Sequence, residues 1–91
     1  MDTSAFEASL KAEGYGEIEK KTVLANVVNA AHTHSFAVRL LVLSGEMSVT
    51  KEGVRHTCRA GDTFAMAAGC EHFEQYGPEG SVYLVGRTHA G

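Results

Sequence analysis

The chain has no tryptophan, a single proline and only two cysteines, and it nowhere runs apolar for long. Each scarcity excludes something. A membrane-spanning helix needs roughly 18–20 consecutive apolar residues, and no stretch approaches that. Cys58 and Cys70 lie twelve positions apart without CxxC spacing, so two reduced thiols are expected. Clustered positive charge is missing too: Lys11, Lys20, Lys21, Arg39, Lys51, Arg55, Arg59 and Arg87 are scattered, and the net charge is −3. That leaves no electrostatic footprint for nucleic acid. Low-complexity sequence is absent. The opening segment, MDTSAFEASLKAEG, is acidic and amphipathic, unlike a secretory signal, so a cytoplasmic location is expected.

What is present is the composition of a folded domain: 44% hydrophobic and 21% charged residues. Ninety-one residues suffice for one domain. A chain this short buries only about 60% of its unfolded surface, so its core is thin and a homodimer is expected. Segments carrying Ile18, Val23 and Val82 suit edge-strand pairing.

One helix is predicted, in a lead-in spanning 1–16. Ser4 and Glu7 have capping-box spacing, Phe6 and Leu10 stand at i, i+4, and Gly14 is a natural stop. From 17 to 91 the pattern is that of a single β domain. Strands are predicted over 17–24, 27–31, 35–43, 46–51, 54–59, 62–66, 71–76 and 81–88. Turns are predicted at Ser44-Gly45, Glu52-Gly53, Ala60-Gly61-Asp62, Ala68-Gly69 and 77–80. Eight short strands without intervening helices indicate an all-β sandwich or barrel, with jelly-roll topology among the few that close such a chain.

The chemistry concentrates in histidine. On extended chain, His32 and His34 point to the same side, where two imidazoles can converge on one ion. His72, on another predicted strand after a glycine-rich bend, supplies a third vertex. His56 and His89 have no such company and read as ordinary surface or turn residues.

Two stretches carry a family resemblance. NVVNAAHTHSFAVRLLVLSG, from Asn26 to Gly45, resembles the first cupin motif, G-x5-H-x-H-x3,4-E-x6-G. GDTFAMAAGCEHFEQY, from Gly61 to Tyr76, resembles the second, G-x5-P-x-G-x2-H-x3-N. The segment between them is similar to the family's inter-motif hairpin. This resemblance covers residues 17–88 and implies a double-stranded β-helix (jelly-roll) barrel holding one divalent ion. His32, His34 and His72 match the motif histidines, and Gly45, Gly61 and Gly69 the turn glycines. Asn26 stands where the first glycine would be, a position its tolerance of the left-handed region allows. Ala67 replaces the motif proline and Tyr76 the final asparagine.

The motif glutamate is missing. Spacing from Gly45 puts Val38 there, and the longer spacing from His34 puts Arg39 there. Alternation groups Val38, Leu40 and Val42 with His34, which turns Arg39 to the opposite face. From His72, the same-face residues are Cys70, Glu74 and Tyr76. Glu74 is the candidate fourth ligand or general base, Cys70 a softer additional ligand, and Tyr76 a core aromatic. Three imidazoles leave the ion dipositive with open positions, which favours a small anionic organic ligand. Iron, zinc, manganese or nickel would fit. An iron centre would resemble small-molecule dioxygenases, and zinc or manganese the isomerases and lyases of this superfamily. A non-catalytic sensing module and a metal-free structural barrel are the alternatives. The expected pocket wall is drawn from Phe36, Val38, Leu40, Val42, Phe64, Met66 and Phe73.

Overall fold

The computed structural model describes residues 1–88, so His89 lies outside the described residues. In order, the elements are α1 (Ser4–Ala12), β1 (Glu17–Val23), β2 (Val28–His32), β3 (Val38–Lys51), β4 (Val54–Arg59), β5 (Thr63–Met66) and β6 (His72–Arg87). A helix of nine residues is not stable alone. Its ends are tied locally, although the predicted Ser4–Glu7 capping box does not form. Thr3, not Ser4, precedes the helix; its carbonyl accepts the Glu7 N–H, and its hydroxyl donates to the Glu7 carboxylate at 2.8 Å. At the other end Gly14 adopts φ +86°, and the N–H groups of Gly14 and Tyr15 bond back to Lys11 and Leu10 in a Schellman turn. Leu10 is fully buried against β6, where a side chain at Gly86 would come within 2.9 Å of its Cδ1. Arg39 adds a 2.9 Å ion pair to Glu13 and lies over the Phe6 ring. The helix is thus fastened to the outer face of the β3–β6 pair.

The eight predicted strands are six. Segments 35–43 and 46–51 belong to one strand, β3, as 71–76 and 81–88 belong to β6. The glycines between them bend the chain without ending the ladder: Gly45 stays paired with Ser81, while the register shifts between Val42 and Ser44 and between Gly45 and Met47. A Cβ on Gly45 (φ +74°) would collide with the Gly80 carbonyl oxygen, so the two bends pass backbone against backbone. The hairpin at Glu52 and Gly53, both at positive φ, forms as predicted, joining Lys51 to Val54. Asn26 does occupy the left-handed region, at φ +60°.

These bends fold the strands into two facing sheets. The first consists of β1, the C-terminal half of β6, the N-terminal half of β3, and β5. The second consists of β2, the N-terminal half of β6, the C-terminal half of β3, and β4. This is the expected jelly roll. Val42, Met47, Val49, Cys58, Tyr76 and Val85 pack between the sheets. Of the residues expected on a pairing edge, Ile18 and Val23 are half-buried on β1, which among the described residues pairs only with β6, whereas Val82 is not on an edge, being paired with Thr22 on one side and Ser44 on the other. Among the described residues, no helix is long and apolar enough to cross a membrane.

Candidate metal centre

His32 ends β2 and His72 begins β6, and the two are cross-strand partners. Direct partners in an antiparallel pair hold their side chains together on one face. His34 arrives differently. It lies past the end of β2, in a loop held by the Gly69 N–H donating to the His34 carbonyl at 2.8 Å. Simple alternation along a strand therefore does not explain its convergence; the turn glycine of the second motif does.

One ligand nitrogen from each of His32, His34 and His72 lies within 4.8 Å of the others. The ring centroids are 4.3 Å apart for His32 and His72, 4.7 Å for His32 and His34, and 5.2 Å for His34 and His72. Two rings are locked by the backbone. His32 Nδ1 lies 2.6 Å from the Ala30 carbonyl oxygen, and His72 Nδ1 lies 2.9 Å from that of Cys70. A carbonyl only accepts, so each Nδ1 carries the proton and each Nε2 offers its lone pair. His34 stacks on Phe36 at 4.8 Å. Burial, reinforced by His32 and His72, holds the His34 imidazole below its usual pKa, toward the neutral form a metal requires.

Glu74 turns inward beside them, with Oε2 at 3.5 Å from His32 Nε2 and Oε1 at 3.8 Å from His72 Nε2. Its Oε2 is buried and has no hydrogen-bond partner among the described residues. A buried carboxylate oxygen left unpartnered is costly, and a cation on the adjacent imidazoles would relieve it. Donor chemistry and this orphaned oxygen both fit a divalent ion.

The remaining candidates separate. Val38, at the motif-glutamate position, is buried and lines the cavity, so that vertex is apolar. Arg39 faces the helix on the opposite side. The Cys70 thiol lies outside the histidine cluster, near the Glu71 carbonyl at 3.8 Å. What Cys70 provides is its backbone oxygen, which orients His72. Tyr76 is a core residue, its hydroxyl 3.5 Å from that of Tyr83. Burial raises the pKa of both phenols and keeps them protonated. His56, read as a surface or turn residue, instead sits half-buried on β4 with its ring 5.3 Å from that of Phe64.

The histidines open on a cavity of about 520 Å³. Phe36, Val38, Leu40, Phe64 and Met66 line it as expected. Val42 lies deeper in the core, and Phe73, next to His72 on its strand, lines a different cleft. Sequence reasoning missed Met47, Val49, Tyr83, Val85, Asn29, Lys21 and Arg87. The register of β1 and β3 on β6 brings several of them in, and no local motif marks it.

No family model matches the sequence, and no curated protein is significantly similar to it. Solved structures do match. An RmlC-like cupin from Shewanella frigidimarina superposes with TM-score 0.71 at 23% identity, over 80% of this chain and 65% of that one. A transcriptional regulator of the HTH_3 family from Vibrio cholerae gives 0.73 at 18% identity, over 88% and 46%. The cupin domain of CENP-C from Drosophila melanogaster gives 0.69 at 20% identity, over 80% and 61%. The chain spans less than two-thirds of the length of each. At such identities the likeness is one of fold. In architecture, this chain has the fold of a cupin domain.

Proposed function

We propose that this domain holds one divalent metal ion on His32, His34 and His72 and binds a small anionic organic molecule beside it. The observation that carries this reading is the convergence of three imidazole nitrogens, two of them fixed as Nε2 donors by backbone carbonyls. A bound ion would supply Lewis acidity, or redox chemistry if it is iron. The chain supplies the rest. Val38, Leu40, Phe64 and Met66 give one wall an apolar surface. Glu74 stands on the other as a fourth ligand, or as the base that takes a proton from the bound molecule. That carboxylate favours a metal-dependent enzyme: oxygen chemistry with iron, isomerase or lyase chemistry with zinc or manganese.

A second reading is a non-catalytic sensing module. It draws support from the Vibrio cholerae regulator, whose fold matches 88% of this chain. Elemental analysis of protein purified without chelator or affinity metal tests the primary reading. One equivalent of metal is expected in the wild type and a large loss in His72→Ala. A metal-free wild type, or unchanged occupancy in the variant, would sink it.

A further inference from the structure

The cavity has a polar feature that the histidine cluster does not use. Lys21 on β1 is the cross-strand partner of Tyr83, and Arg87 follows Val85 by two residues on β6. Strand alternation places these side chains on the inner face of the first sheet, and both line the cavity. The Arg87 side chain is only 20% exposed. It lies 5.7 Å from the centroid of Phe36, the ring that stacks on His34. Its Nη1 donates to Glu19 at 3.0 Å, which steadies the group and engages one of its five donors. Lys21 forms no ion pair among the described residues.

We infer that Lys21 and Arg87 form an anion-binding subsite facing the histidine cluster, and that the bound molecule is a small organic dianion. One acidic group lies toward the histidines and the other toward this pair. Charge carries the argument. The ionised side chains lining the cavity are Lys21, Arg87 and Glu74. With a divalent ion on the histidines, the interior stays strongly positive even after Glu19 neutralises Arg87. A dianion matches that balance, whereas a neutral or cationic molecule leaves buried positive charge uncompensated. Geometry agrees. A guanidinium fork and an ammonium at one end, and metal ligands at the other, suit a compact dicarboxylate in about 520 Å³. The inference rests on the proposed metal reading for one end of the ligand and on Lys21 and Arg87 alone for the other.

Isothermal titration of the zinc-loaded protein with succinate and with butyrate, which differ by one carboxylate, tests it. Succinate is expected to bind about tenfold more tightly than butyrate. Lys21→Gln and Arg87→Gln should each weaken succinate by about threefold to tenfold, with butyrate affinity and zinc stoichiometry unchanged. Arg87→Lys should retain most of the preference. Glu19→Gln, by freeing Arg87, should tighten succinate, a change that mere loss of structure would not produce. Equal binding of the two ligands by the wild type, or an intact preference in the Lys21→Gln/Arg87→Gln double variant, overturns the subsite. Failure to take up zinc would instead sink the metal reading. The subsite is then judged on metal-free protein with the same ligands: a succinate preference lost in the double variant supports it, and no preference overturns it.

Discussion

The two sheets share the strands β3 and β6 yet do different work. The inner face of the first is mostly apolar, with Val38, Leu40, Phe64, Met66 and Val85 on the cavity, and Lys21 and Arg87 are its charged exceptions. Across the space, the second carries His32 and His72, which belong to the metal-ligand cluster, and Glu74, whose oxygens lie 3.5 Å and 3.8 Å from their Nε2 atoms. A titratable cluster in so thin a core is tolerable because most of the opposite wall, Lys21 and Arg87 apart, is hydrocarbon. That wall contributes the burial, at about 1.5–3 kcal/mol per large side chain, that the polar wall cannot. The division also explains how the centre can lack the motif glutamate. Val38 lies on the apolar sheet, while Glu74 stands beside His72 on the polar one.

The comparison breaks most completely at the bend that joins the sheets. Gly45→Ala should destabilise the fold by about 3 kcal/mol or more, because its Cβ meets the Gly80 carbonyl oxygen. Gly53 also has positive φ but faces open space, so Gly53→Ala should cost only about 1 kcal/mol. Urea unfolding of the pair separates collision from conformational cost.

Next in size are changes to the two walls. Leu40→Ala should lose about 2–4 kcal/mol in chemical denaturation while leaving metal stoichiometry unchanged. Glu74→Gln should do the reverse. Metal-free, it should match or exceed the wild type by up to about 1 kcal/mol, since a largely buried carboxylate with an oxygen lacking a hydrogen-bond partner becomes a neutral amide. Its metal affinity, measured by competition with a chelator, should fall about tenfold. If both variants changed stability and metal uptake together, the division between the walls would collapse.

The smallest effect is on alkaline stability. Burial, with Asp62 adding to it, raises the Cys58 thiol pKa, and burial raises that of the Tyr83 phenol. Each group keeps its proton to higher pH folded than unfolded. Stability from this source is therefore complete below the ordinary thiol range and declines as pH rises beyond it. Unfolding free energies should fall gently above about pH 8.5, and Cys58→Ala should blunt that part. Tyr76, raised by burial in the same way, shares the part above about pH 10, which Tyr76→Phe and Tyr83→Phe should each blunt. A flat profile in the wild type would show that none of these groups is desolvated as the packing implies.

Much of the molecule was legible in the chain because the signals are local. The helix stop at Gly14, the left-handed Asn26 and the Glu52-Gly53 hairpin depend on the conformational preferences of one or two residues. The inward side of Val38 followed from alternation and the three histidines from motif spacing, although His34 is brought to the others by a loop bonded to Gly69 and not by alternation. Strand continuity did not, because a glycine that ends a strand and one that bends it have the same local preference. What distinguishes them is the backbone of Gly80 lying against Gly45. Likewise, nothing near Cys70 in sequence indicates that its carbonyl, and not its sulfur, serves the site.

The sequence by itself determined an all-β domain with three histidines available to one ion and no acidic residue at the usual motif position. Residue identity, motif spacing and turn chemistry are local, so these candidates needed no partner strand, whereas the convergence of the histidines rests on the β2–β6 pairing and the bond from Gly69 to His34. Only the tertiary structure decided that Glu74 stands beside His32 and His72, and that Lys21 and Arg87 face the same cavity. Those placements depend on the register of β2 and β1 against β6. Register is set by the burial of a whole face, a property that belongs to no single segment.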